Sequence, residues 1–380
     1  MAKIIYLKYI FTFIIFFSFT EILNAQKTSF WDKKHSKVAF ILNGQAGKIV
    51  KHTQRFQADV TQPSFHLEAG VAFKTFGEKA WQRKLHYPEM GISYIYTHYG
   101  DRAVFGQAHG LLPHIRFSIK RTKLVDIYFR IGSGIAYNNT PFHPVDNPTN
   151  NVIGSKINNI TQLRFGSDFH LSESVDLTLG FTFTHHSNAR TQSPNLGTNI
   201  PAISIGARYM PFEKRETINQ EPIPKPEKRN SFLFRTGMGI TSRAALGGPK
   251  YPVYTNTFMY ARHTSVANRV WIGATWALNM AKHDRILDQE EFDNIVYRAS
   301  DLSIFIGDEI LMGKIGMFFL VGAYLFEPEF KNPPIYAKLG VHYYFIEFGA
   351  HKQIKPFVGV NLKTHYSVAE YAEFTLGLSF

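Results

Sequence analysis

VDLTLGFTFTHHSNARTQSPNLGTNIPAISIGARYMPF, residues 175–212, decides the fold. It reads as strand, loop, strand, because apolar and polar residues alternate over about a dozen positions on each side of a Ser/Pro/Asn/Gly-rich turn. On the first strand Val175, Leu177, Leu179, Phe181 and Phe183 share one face, and Asp176, Thr178, Gly180, Thr182 and Thr184 share the other. Successive side chains of a strand point to opposite sides, so one face is greasy and its back is wet. Carried forward, the same parity places His185 and Ser187 on the greasy face at the strand's end. Two residues apart, they stand roughly 6 to 7 Å from each other at Cα, within reach of an imidazole-to-hydroxyl hydrogen bond.

The same period of two recurs along the chain. Segments rich in Phe, Tyr, Ile, Val and Gly fall at 37–48, 63–76, 89–99, 104–119, 124–137, 155–170, 175–188 and 199–212. They continue at 231–243, 251–263, 268–282, 301–312, 315–326, 334–345, 355–366 and 370–380, sixteen in all. The connections sort by length. Short turns at 121–123, 172–174, 264–268 and 313–314 fall on one side, and long ones at 47–62, 138–154 and 283–300 on the other, as in bacterial barrels with periplasmic turns and longer extracellular loops. Links 77–88, 213–230 and 346–355 are longer than that rule expects. The chain closes on Glu373-Phe374-Thr375-Leu376-Gly377-Leu378-Ser379-Phe380, alternating up to a terminal aromatic in the manner of the last strand of an outer-membrane barrel.

In lipid every backbone N–H and C=O must be paired within the protein, so alternating strands of this kind make sense in a closed sheet. The expected class is therefore all-β, a transmembrane antiparallel β-barrel of about 12–16 strands in one barrel, with two eight-stranded halves flanking 213–230 as the alternative. A soluble β-sandwich is the rival that strand length, loop parity and the C-terminus disfavour.

Residues 1–25 read as a signal peptide: Lys3 and Lys8, an apolar run over 9–19, then Leu23-Asn24-Ala25. The organisation expected beyond it is an eight-strand half over 26–212, a Pro-rich periplasmic link over 213–230 and further barrel strands over 231–380. Without residues 1–25 the formal charge is +12, a surface suited to anionic partners such as lipid phosphates; nothing asks for nucleic acid. The absence of cysteine excludes disulfides and an acylated N-terminal Cys.

His185-His186-Ser187-Asn188-Ala189, followed by Pro194-Asn195-Leu196-Gly197, resembles the PagL family of outer-membrane lipid A 3-O-deacylases, whose H-x-S-N-A motif precedes P-N-x-G. The resemblance covers about 26–212, and the whole layout is similar to longer outer-membrane chains described as acyloxyacyl hydrolase-like. It implies Ser187 as nucleophile and His185 as its base. The position that orients the His, a Glu in the family, falls on Asn199. An amide oxygen can accept the imidazole N–H but cannot neutralise an imidazolium, and an acid-to-amide change in a serine protease lowers kcat roughly 10⁴-fold. The tetrahedral oxyanion calls for fixed donors, and the backbone N–H of Asn188 or Ala189 is nearest, the Asn188 side chain having lumen parity.

The implied activity is an outer-membrane esterase acting on lipid A, lipopolysaccharide or a related acylated lipid, with water as second substrate and no cofactor. A non-catalytic channel or lipid transporter is the alternative, then a structural barrel. A homodimer is left open. Other polar residues carry less. His186 has lumen parity. Asp284 with Asp288 to Asp293 matches no metal loop and reads as a solvated charge run, and Lys363, His365, Glu370 and Glu373 read as lumen residues. Asp308 and Glu309 lie on opposite faces of one strand, a poor acid/base pair.

Overall fold

Because lipid offers the backbone no partner, each run of strands has to return to its own first edge. The structure, a computed structural model, describes residues 37–211, 219–226, 230–243, 248–289, 293–329, 333–345, 354–366 and 368–380. The signal-peptide reading of 1–25 and half of the 213–230 link lie outside them.

The first barrel comprises β1 (Val38–Gly47), β2 (Ser64–Phe73), β3 (Glu89–His98), β4 (Gln107–Arg121), β5 (Val125–Asn138), β6 (Ile157–His170), β7 (Val175–Ser187) and β8 (Thr198–Tyr209). The second comprises β9 (Asn230–Ser242), β10 (Lys250–Ser265), β11 (Asn268–Asn279), β12 (Ser300–Met312), β13 (Ile315–Phe326), β14 (Ile335–Tyr344), β15 (Lys355–His365) and β16 (Val368–Ser379). All pairings are antiparallel, and β1 closes on β8 through Leu42 opposite Ala207 while β9 closes on β16 through Gly237 opposite Thr375.

The all-β antiparallel barrel class holds, and of the two closures the chain takes two barrels of eight. A single barrel of 12–16 strands is not formed. The reason is inside. Eight strands enclose a bore that side chains can fill, and each half carries its own matched set of buried charges. In the first, Glu68 accepts from Arg130 and Arg164, and Arg208 bridges Asp168 (2.8 Å) and Glu89 (2.6 Å). In the second, Glu309 pairs with Arg269 and Lys338 with Glu373 (2.7 Å), around packed Trp271, Phe318 and Phe357. A sixteen-stranded closure would draw these partners apart into a water-filled bore. The void beside Arg116 and Arg130 is about 20 Å³, no room for a solute larger than water.

The outer surface is apolar. Leu42, Leu67, Phe181, Ile203 and Ile205 are exposed on the first barrel, and Phe258, Ile306 and Phe319 on the second, where lipid replaces solvent. The long 77–88 link holds a short helix, α1 (Ala80–Lys84); the 280–299 connection holds α2 (Met280–Leu287) and α3 (Ile295–Arg298). Over the first barrel's outer mouth the β1–β2, β3–β4 and β5–β6 loops meet in one apolar cluster: Ile49, Phe56, Tyr99, Phe105, Val152 and Ile153, with Ile200 beneath. That cluster caps the bore and floors the β7–β8 turn.

Removing one partner of a buried ion pair strands the other. Glu68→Ala, which leaves Arg130 and Arg164 buried without their carboxylate, is expected to cost about 3–5 kcal/mol, read as a lowered midpoint in denaturant unfolding of the detergent-solubilised barrel.

Candidate active site

Strand parity sets the outer end of β7. Asp176, Thr178, Thr182, Thr184 and His186 are buried toward the lumen, while Leu179, Phe181 and Phe183 are exposed; His185 and Ser187, half-buried, continue the outward face. The register of β7 on β8 sets His185 opposite Asn199. Directly opposed residues have Cβ atoms about 5 Å apart, and here the side chains meet: His185 Nδ1 donates to Asn199 Oδ1 at 2.7 Å. With Nδ1 carrying the hydrogen, Nε2 is the unprotonated nitrogen. The backbone carbonyl of Asn199 accepts from the Val50 N–H at 2.9 Å, and His52 Nε2 bonds the Leu196 carbonyl at 3.1 Å, so the β1–β2 loop is pinned beside the pair. The hydrogen bond joining Ser187 to His185 is not among those the described residues form.

Gly197 sits against both. Its φ is +77°, and a Cβ there would stand 2.8 Å from His185 Cε1 and 3.3 Å from Ser187 Cβ. The glycine of the P-N-x-G turn thus brings the imidazole edge and the serine to one point, and glycine alone adopts this backbone without strain.

The turn after Ser187 is bonded to itself. The Asn188 N–H donates to Asn195 Oδ1 (3.0 Å), its Nδ2 to the Gln192 carbonyl (2.9 Å) and to Ser155 Oγ (3.1 Å), and its carbonyl accepts from Thr191 N–H and Oγ. The Asn188 side chain is buried, as its parity required. With the Asn188 N–H engaged, the Ala189 N–H is the donor without a bond among the described residues. Ala189 and the next residue, Arg190, both take left-handed conformations, φ +53° and +65°. Non-glycine residues there cost of order 1–3 kcal/mol each, a strain that persists only where surroundings fix it and that clusters at reactive sites.

Three residues were not singled out from the sequence. Asn159 lies opposite Ser187 on β6; its Nδ2 donates to Ser133 Oγ (2.9 Å) and its Oδ1 accepts from Thr161 Oγ (2.8 Å). Asn159 and Thr161 interrupt the greasy face between Ile157 and Leu163. The break in parity that marks His185 and Ser187 marks them too.

The weaker candidates are accounted for by packing. His186 is buried against Tyr99, with ring centroids 5.4 Å apart. Asp284 and Asp288 both bind Arg243, and the middle of the acidic run, 290–292, lies outside the described residues. Hydrogen bonds from Tyr251 and Arg243 hold the Asp284 carboxyl below the usual aspartate value. Lys363 and His365 face Glu370, and Glu373 belongs to Lys338. Glu309 is buried, whereas Asp308 faces outward and accepts from Asn268. Among the described residues no three His, Asp or Glu are grouped to hold a metal ion.

Two family descriptions match the chain: "Lipid A 3-O-deacylase (PagL)" over residues 65–208, and "Acyloxyacyl hydrolase, C-terminal domain" over 230–380. No curated protein matches it. Among solved structures, the outer membrane enzyme PagL is similar at 14% identity and TM-score 0.30, over 44% of this chain and 98% of its own. Neisserial surface protein A is similar at 10% identity and TM-score 0.31, over 46% of this chain and 97% of its own.

Gly197→Ala is expected to destabilise the protein by about 1–3 kcal/mol through its backbone alone and to break the bond between His185 and Asn199. Thermal unfolding checks the first effect, and the His185 Nδ1 resonance of ¹⁵N-labelled protein the second.

Proposed function

This chain belongs to the PagL family of outer-membrane lipid A 3-O-deacylases, and on that premise we propose that it removes an ester-linked acyl chain from lipid A or a related glycolipid, with Ser187 as nucleophile and His185 as base. The observation that carries the reading is the outward-facing His185–Asn199 pair at the outer end of β7, two residues before Ser187. At that level the acyl esters of an outer-leaflet glycolipid come alongside the strand by lateral diffusion.

The proposed sequence of events builds on that pair. Ser187 Oγ attacks the ester carbonyl and its proton passes to His185 Nε2, the nitrogen left free by the bond from Nδ1 to Asn199. The carbonyl oxygen becomes an oxyanion, which the Ala189 N–H stabilises. Collapse expels the sugar alkoxide, which takes the proton back from the imidazolium. Water, deprotonated by His185, then cleaves the acyl-serine and releases a fatty acid. Asn159, Thr161 and Ser133 offer hydroxyl and amide groups on the lipid-facing side next to Ser187, where sugar and ester oxygens would lie. Asn199 holds the imidazole in the working tautomer but leaves the imidazolium uncompensated, so this is a slow member of its kind.

The channel reading loses ground to the filled interiors. Ion pairs and aromatic side chains occupy both bores, and the outer loops cap the first.

Mass analysis of lipid A from cells with and without the gene is expected to show loss of one acyl chain, and Ser187→Ala to abolish it, with a fall of about 10⁴-fold or more in rate. Unchanged lipid A in both would remove the proposal. Asn199→Glu, which adds the missing charge beside His185, is expected to raise kcat about tenfold or more and to move the acidic limb of the pH–rate profile upward; Asn199→Ala lowers kcat.

A further inference from the structure

The turn between Ser187 and Gly197 is gripped from two directions. Its later part is bonded within the first barrel: the Leu196 N–H donates to the Asn151 carbonyl (3.2 Å) and the Gly197 N–H to the Val152 carbonyl (2.9 Å). Its earlier part, Ala189 to Ser193, finds its partners outside its own turn on the second barrel, among the described residues. The Arg190 carbonyl accepts two hydrogen bonds from Ser242, one from the backbone N–H and one from Oγ, both at 3.0 Å. Ser193 Oγ donates to the Arg243 carbonyl at 3.2 Å and lies 3.4 Å from Ser242 Oγ. Ser242, the last residue of β9, is buried.

The grip is itself anchored. Arg243 follows Ser242 directly, and its guanidinium is held by Asp284 (2.7 Å) within α2 and by Asp288 just after its end, with Tyr251 also on Asp284. The helix is fixed at its start by Asn279, whose side chain accepts from the Ala281 N–H at 3.0 Å. The end of β9 and, through Arg243, helix α2 therefore stand behind two hydrogen bonds to one carbonyl oxygen.

That carbonyl belongs to the second of two adjacent left-handed residues, Ala189 and Arg190. A strained backbone of this kind relaxes unless something outside it prevents the peptide planes from turning. The Ala189 N–H, the donor left for an oxyanion, lies within the same two residues, so its direction depends on the Arg190 carbonyl staying where Ser242 holds it. We infer that the second barrel supplies positioning residues to the active site of the first: Ser242, seconded by the Arg243 backbone, fixes the Ala189–Ser193 turn in the geometry that stabilises the transition state. Neither residue touches substrate. The inference rests on the deacylase reading above and assigns a task to residues 230–380 within it.

The test uses the full-length protein with purified lipid A as substrate, comparing wild type, Ser187→Ala, Ser242→Ala and Ser242→Thr. Ser242→Ala keeps the backbone N–H bond and removes the hydroxyl. It is expected to lower kcat about tenfold, the order of one hydrogen bond acting in the transition state, with KM changed less than about twofold. Ser242→Thr restores the rate. Hydrogen exchange followed by mass spectrometry is expected to quicken in the 188–197 segment of Ser242→Ala and nowhere in β1 to β6. Wild-type kcat together with wild-type exchange in Ser242→Ala overturns the inference, as does a raised KM at unchanged kcat, which would mark a substrate contact instead. Should Ser242→Ala not fold, Ser193→Ala removes the contact from the turn's side and is judged by the same two readings. If wild type and Ser187→Ala are equally inactive, the deacylase reading fails, and exchange alone judges the grip: faster exchange in Ser242→Ala supports it, unchanged exchange overturns it.

Discussion

Backbone pairing in lipid is the constraint on which everything else here depends. A spanning strand must find a neighbour on both edges, and once β8 has met β1 and β16 has met β9 no edge is left to pair elsewhere. Closure fixes which side of each strand is inside, and parity then assigns every residue to lumen or lipid. The chemistry proposed here uses that assignment directly. His185 and Ser187 are polar side chains on a face otherwise built from Leu179, Phe181 and Phe183, and they stand half-buried at the very end of the strand, beside the outer loops.

The interiors show the other side of the same bargain. A bore of eight strands has to be filled, and both are filled with charge: Glu68 with two arginines, Asp168 with two, Glu309 with Arg269, Glu373 with Lys338. Burying ions this way adds little net stability, yet breaking any pair is expensive. The networks tie strands together across each bore, while the backbone ladder of β7 on β8 keeps His185 opposite Asn199.

At the proposed site an amide, Asn199, stands where the resemblance implies a carboxylate. The orienting function survives, since Oδ1 of Asn199 accepts from the imidazole; the compensating charge does not. The rest of the proposed site is backbone: a glycine against which imidazole and serine both lie, two adjacent left-handed residues after the serine, and loops that hold the turn from both barrels.

Much of this could be read from the residues in order. A period of two says which side chains share a face, so the strand list, the lipid-facing His185 and Ser187, the inward His186 and Asn188 and the matching position of Asn199 are all legible, and the polar break at Asn159 and Thr161 is equally visible. Parity is silent about partners, however. Sixteen alternating strands satisfy one ring or two, and only the buried ion pairs, formed between residues as distant as Glu68 and Arg164, choose two. Nor does periodicity reveal that the Asn188 N–H is taken by Asn195, or that Ser242 reaches across to Arg190. Alternation is a property of one strand and is written locally. Closure, register and contact between barrels depend on which distant groups satisfy one another, and that is decided when the chain folds.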